Sequence, residues 1–134
     1  VYAPKKDEIF MIESPYNRLG YRIPVDGFID EGFSFFLDDY EFKVFSTPGH
    51  SEGGTILYNP DEHICFSGDT LFFQTIGRTD LPFSYFSKIK SSIEKMYELL
   101  PNHTKIYPGH GRETTIGHEK LHNMFIRYKK QANR

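Results

Sequence analysis

The sequence predicts an α/β (α+β) fold, a mixed sheet packed by helices on one face. Segments of period two, rich in aromatic and β-branched residues, come in pairs around short turns, as antiparallel strands do. A later segment repeats apolar residues at three to four positions, the signature of an amphipathic helix. A short apolar run and a second helical pattern then follow, so strand pairs give way to helix, strand and helix. At 134 residues the chain is long enough to bury one core, and residues 1–134 read as a single domain.

The elements follow in order. Val1-Tyr2-Ala3-Pro4 reads as the end of a strand already under way, so the sequence is expected to be a piece of a longer polypeptide. Pro4 suits the first position of a helix over residues 5–13, with Ile9, Phe10, Met11 and Ile12 as a short apolar face. Ser14-Pro15-Tyr16-Asn17-Arg18-Leu19-Gly20 breaks it, and residues 21–32, with Pro24, Gly27 and Gly32, read as an irregular connection. Residues 33–37 and 40–46 flank Asp38-Asp39 as a hairpin. In the second of these strands Tyr40, Phe42, Val44 and Ser46 share one face, and Glu41, Lys43 and Phe45 the other. Residues 55–58 and 63–67 form another hairpin around Asn59-Pro60-Asp61-Glu62. Residues 71–81 have mixed character. Phe86, Ile89, Ile93, Met96, Tyr97 and Leu100 mark a helix over residues 84–99, with Ser84 as N-cap and Pro101 as stop. A strand at 105–107 and a terminal helix over residues 114–129 complete the chain.

Composition narrows the class. Thirteen Phe and nine Tyr predict a core made of rings more than aliphatics. A formal charge of -2 gives no electrostatic case for nucleic acid or an anionic membrane. Cys65 is the single cysteine, which excludes an internal disulfide framework and suits a reducing cytoplasm.

Chemistry concentrates where strands end. Ser46-Thr47-Pro48-Gly49-His50, Ile64-Cys65-Phe66-Ser67-Gly68-Asp69 and Lys105-Ile106-Tyr107-Pro108-Gly109-His110 each finish an apolar run at a glycine followed by a metal-ligating side chain. His50, Asp69 and His110 are therefore candidate metal ligands, and imidazole with carboxylate suits zinc, iron or manganese. Alternatively they are solvated loop residues. Cys65, on an apolar strand with no base beside it, reads as a core thiol. His118 and His122 lie four apart and read as a solvent-facing pair.

Thr47-Pro48-Gly49-His50-Ser51, Ser67-Gly68-Asp69-Thr70-Leu71-Phe72 and Tyr107-Pro108-Gly109-His110-Gly111 resemble the later three metal motifs of the metallo-β-lactamase superfamily. Ile76-Gly77-Arg78-Thr79-Asp80-Leu81-Pro82 and Thr114-Thr115-Ile116-Gly117 resemble its glyoxalase II branch, the hydroxyacylglutathione hydrolases. The resemblance covers nearly the whole chain and implies part of an αββα sandwich, its C-terminal portion. The family's upstream H-x-H-x-D-H motif has no counterpart in this sequence. By resemblance, His50 serves one of two divalent metal ions and His110 the other. Asp69 bridges them and is the catalytic carboxylate. Zinc is the first expectation, iron or manganese the others.

The implied reaction is hydrolysis of a small-molecule thioester, such as a glutathione conjugate, by water acidified to hydroxide between the two ions. Arg78 is the candidate contact for the substrate's anionic end, or else a salt-bridge partner of Asp80. A persulfide dioxygenase using one iron is the alternative enzyme. An inactive fragment, a homo-oligomer, or a subunit completed by an N-terminal segment is the alternative to an enzyme. The isolated chain is expected to bind metal weakly and to hydrolyse nothing measurable.

Overall fold

The computed structural model describes residues 2–12 and 14–128. The period-two segments become the strands of a six-stranded sheet. β3 (Ser34–Leu37), β4 (Tyr40–Ser46), β5 (Thr55–Asn59) and β6 (Ile64–Gly68) form an antiparallel meander. Helix α1 (Phe86–Leu99) then carries the chain back, so β9 (Lys105–Pro108) lies parallel to β6. The order across the sheet is β10-β9-β6-β5-β4-β3, with β10 (Thr114–Thr115) antiparallel to β9. Outside it, β1 (Tyr2–Ala3) pairs in parallel with β2 (Gly27–Phe28), and β7 (Leu71–Phe72) pairs with β8 (Thr75–Ile76). A second helix, α2, spans Ile116–His122.

One sheet face is filled by the helices. Ile56, Tyr58, Cys65 and Ile106 from the sheet pack with Ile89, Ile93, Met96 and Tyr97 of α1, with Ile116 and Ile126 joining them. This core is aliphatic, contrary to the expectation from composition. Its rings are Tyr58 and Tyr97, and among the described residues no phenylalanine is fully buried. Counting rings does not say which face they take, and the period of two sends them to the other side. There Phe35 stacks on Phe42 at 5.6 Å between ring centroids, Phe42 meets Phe66 at 5.8 Å, and Phe66 meets Tyr107 at 5.9 Å. Neither helix covers this ladder with its core residues, and Phe66 is 44% exposed.

Several boundaries differ from the sequence reading. Residues 5–13 are not an α-helix: Lys5–Phe10 is a 3-10 helix ended by Met11 N–H donating to the Glu8 carbonyl, and Glu13 and Val1 lie outside the described residues. The irregular stretch 21–32 contains the short β2. Ser84 is not the N-cap of α1. Tyr85 holds that position without a side-chain cap, while the Ser84 hydroxyl donates to the His50 carbonyl at 2.6 Å. The terminal helix is far shorter than 114–129. Thr115 caps it by accepting from His118 N–H, and Asn123 ends it. The Asn123 side-chain oxygen accepts from the Phe125 and Ile126 amides, which redirects the backbone after about two turns. Lys129 lies outside the described residues.

Candidate metal centre

Topology brings the three candidates together. β4 and β6 are each antiparallel to β5, so they point the same way, and β9 is parallel to β6. The C-terminal ends of β4, β6 and β9 therefore share one rim of the sheet, and His50, Asp69 and His110 are the side chains that follow them. Asp69 lies between the two imidazoles. Its Oδ2 is 3.5 Å from His50 Nε2, and its Oδ1 is 3.4 Å from His110 Nε2.

Those separations are long for hydrogen bonds, which favour about 2.9 Å. They match two donors on one tetrahedral ion, which sit about 3.3–3.6 Å apart when each bond is roughly 2.0–2.2 Å. One carboxylate oxygen thus faces each histidine, as a bridging ligand would. Among the described residues no three His, Cys, Asp or Glu side chains share a single ion site. Two ions could each be held here by two donors of this chain, Nε2 of one histidine and one oxygen of Asp69.

The loop that presents His50 is fixed from three sides. Gly49 has φ 143°, and a Cβ there would stand 2.3–2.4 Å from Ile89 of α1, so only glycine permits this approach. Tyr85 N–H donates to the Gly49 carbonyl at 2.8 Å, and the Ser92 hydroxyl to the Pro48 carbonyl at 2.7 Å. From the N-terminal side, Asp7 accepts from the Ser51 hydroxyl at 2.8 Å and from Gly53 N–H at 2.9 Å. Beneath the site, the Thr47 and Thr70 hydroxyls meet at 3.1 Å and the Ser67 hydroxyl donates to the Leu71 carbonyl, both buried.

His50 Nδ1 lies 3.0 Å from the Arg78 carbonyl. A carbonyl can only accept, so Nδ1 carries a proton, and in the neutral imidazole that leaves Nε2, on the Asp69 side, as the nitrogen able to ligate. Gly77 makes this possible. A Cβ there would fall 1.8 Å from the Asp69 carbonyl and 3.1 Å from His50 Cβ. The Arg78 guanidinium points elsewhere, to a bidentate pair with Asp80 at 2.7 and 2.9 Å. That hydrogen bonding raises the guanidinium pKa and lowers that of the Asp80 carboxyl. Of the two readings of Arg78, the ion pair is the one present.

A cleft of about 690 Å3 opens beside the centre. His50, Asp69, Thr70 and Arg78 line one side, and Tyr16 and Arg18 come from the loop after the 3-10 helix. Elsewhere Cys65 is buried, and burial pushes its thiol well above the ordinary range, as a core thiol requires. His118 is half-buried and stacks on Phe73 at 5.3 Å between centroids, with its Nε2 against Gln74, so it does not form an open metal pair with the exposed His122.

Sequence reading missed Asp7 and Glu119. Asp7 acts 44 residues from Ser51, a distance no local pattern encodes. Glu119 is fully buried and accepts from Gln74 N–H, the Thr114 hydroxyl and Asn123 Nδ2, tying α2 to β10 and to the β7–β8 turn. Its one visible signal is an acidic residue on the Ile116 side of a short helix.

Comparison with known proteins places these observations. The family model described as the metallo-beta-lactamase superfamily matches residues 1–110. A probable metallo-hydrolase of Streptococcus pyogenes serotype M6 is 44% identical over 103 residues, covering 77% of this chain and 44% of that protein. The hydroxyacylglutathione hydrolase GloC of Haemophilus influenzae is 32% identical over 137 residues, covering 96% and 65%. Among solved structures, the BLEG-1 B3 metallo-beta-lactamase aligns with a TM-score of 0.82 at 38% identity, covering 94% of this chain and 64% of that one. TTHA1623, solved in a di-iron-bound form, aligns at 0.71 with 37% identity, covering 79% and 50%. The chain spans about half the length of the first curated relatives it matches.

Proposed function

The chain belongs to the metallo-beta-lactamase superfamily, and from that premise we propose that it forms the C-terminal part of a two-metal thioester hydrolase of the hydroxyacylglutathione hydrolase kind. The observation that carries the proposal is Asp69, with one oxygen towards each of two histidines at ligand-to-ligand spacing. Likeness to GloC supports the thioester, and a glutathione conjugate is the proposed substrate. A pair of divalent ions supplies, when bound, a water of lowered pKa and an electrophile for the acyl carbonyl.

The rest falls to this chain's own residues. His50 and His110 present Nε2 at the rim, and the Arg78 carbonyl, by accepting from His50 Nδ1, leaves Nε2 of that histidine as the nitrogen able to ligate. Asp69 offsets the mutual repulsion of two nearby cations with a charge shared between them. Phe10, Tyr16, Leu81 and Pro82 give the cleft an apolar wall against which the acyl group can lie. The thiolate leaving group needs little acid assistance.

Zinc is the proposed metal, with iron the competing choice because a similar chain was solved in a di-iron-bound form. The remaining donors for each ion would come from polypeptide lying against the open aromatic face of the sheet, a complementary N-terminal segment or a second copy. The single Cys65 supports a cytoplasmic setting.

The test is thiol release from S-lactoylglutathione by the metal-loaded protein that carries this chain, with metal content measured on the same sample. Asp69→Asn is expected to lose at least about a hundredfold in kcat together with bound metal. Turnover unchanged in that variant sinks the proposal. Oxygen uptake with glutathione persulfide, in place of thiol release, would assign the dioxygenase chemistry instead.

A further inference from the structure

The six-stranded sheet ends on one side at β3, and that edge is open. Val44 N–H donates to the Phe33 carbonyl, so in the antiparallel pair the odd-numbered residues of β3 bond towards β4. Ser34 and Phe36 therefore turn their backbone N–H and C=O groups outward, and among the described residues nothing pairs with them there. Edges of this kind are commonly blunted by a lysine, a proline, a bulge or a covering loop. Ser34-Phe35-Phe36-Leu37 has no charge and no proline, and its register with β4 is unbroken. Phe36, Leu37 and Tyr40 are 68%, 63% and 48% exposed beside it.

Charge selects what can pair with this edge. Residues 26–41 hold six carboxylates, Asp26, Asp30, Glu31, Asp38, Asp39 and Glu41, and neither lysine nor arginine. Glu31 is matched by Lys95. Asp30, Asp38 and Asp39 are exposed and have no basic partner among the described residues. They stand at the two ends of the strand, with Asp30 before it and Asp38-Asp39 after it. Lys43, opposite Ser34, is the one base of the hairpin. A second copy pairing antiparallel through Ser34 and Phe36 would set Asp39 of each copy opposite Glu31 of the other, and like charges so placed are destabilising.

We propose that β3 is a docking edge for an extended segment of another polypeptide, about eight residues long, apolar in its middle and carrying lysine or arginine at both ends. Its backbone continues the sheet through Ser34 and Phe36. Its apolar side chains lie beside Phe36 and Leu37, and its basic ends meet Asp30 and Asp38-Asp39. The assignment is independent of the thioester reading.

The test is a fluorescence-anisotropy titration of the protein carrying this chain with a labelled peptide, Lys-Arg-Val-Ile-Thr-Val-Arg-Lys. Two controls replace its basic ends by glutamate or N-methylate its four central amides, and neither should bind. The double variant Asp38→Asn, Asp39→Asn is expected to weaken binding about tenfold at low salt and to flatten its salt dependence. Phe36→Pro removes one outward N–H while sparing the bonds to β4, and should also weaken binding about tenfold at an unchanged melting temperature. In amide exchange, Ser34 and Phe36 should slow at least about tenfold when the peptide is bound. Absent binding, equal affinity for the glutamate-ended peptide, undiminished affinity for the N-methylated one, or a dimer of this chain abolished by Phe36→Pro would each overturn the proposal.

Discussion

The two faces of the six-stranded sheet are built from different residues and finished to different degrees. The helix-covered face is aliphatic, close to fully buried, and closed by contacts from α1 and α2. The opposite face is a ladder of rings, Phe35, Phe42, Phe66 and Tyr107, in contact with one another but only partly withdrawn from water. Most buried apolar side chains therefore lie on one side, with Val44 buried on the other. The loops of His50, Asp69 and His110 sit at the rim between the two, and the His50 loop is anchored to the finished side through Gly49, Ser84 and Ser92. His50 accordingly has a defined setting, whereas the His110 side chain is 78% exposed.

The sharpest way to break this comparison is Glu119→Ala. The covered side is stapled by this buried carboxylate, and its removal leaves the Gln74 amide and the Thr114 hydroxyl without their acceptor. A loss of about 4 kcal/mol is expected in urea unfolding, with a smaller loss for Glu119→Gln. Ile93→Ala, on α1 and fully buried, is expected to cost about 3 kcal/mol by the same measurement. Phe66→Ala, on the open face and already 44% exposed, should cost about 1 kcal/mol. A Phe66 loss equal to that of Ile93 would show that the open face is packed after all.

The smallest effect is electrostatic. Glu31 accepts from Lys95 and from the Ser46 amide, and those bonds, the Lys95 one foremost, lower its carboxyl pKa. A depressed folded-state pKa gives stability that is present above the ordinary carboxylate value and is lost as pH falls through the lowered one. Both groups are largely in solvent, so Glu31→Gln should remove under about 1 kcal/mol at neutral pH. That difference should vanish in acid-titrated melting curves.

Much of the site was legible because its signals are local. A Pro-Gly or Gly step after an apolar run announces a strand end, and the residue after it is presented at a rim. That reading found His50, Asp69 and His110, and resemblance gave them their family. Arg78 was legible as a residue but not as a contact, since its guanidinium and its carbonyl do separate things. Ser84 reads as an N-cap in the sequence, yet α1 takes its cap one residue later, at Tyr85, and the Ser84 hydroxyl is taken by a carbonyl 34 residues away. The end of α2 was misplaced because Asn123 wins back the amides of Phe125 and Ile126 for its own side chain, a local bond that periodicity does not see.

By itself the sequence determined the main strands and α1, the pairing of neighbours into hairpins, and the three candidate side chains that follow strand ends. All of these are encoded within a few residues by period, turn chemistry and spacing. Only the tertiary structure decided that β9 joins β6 in parallel, and hence that three distant strand ends meet at one rim. It also decided which sheet face the helices fill, and that Asp7 and Glu119 tie distant segments together. Those outcomes depend on contacts between residues far apart in the chain, where burial and charge pairing are settled by which elements come to lie against each other.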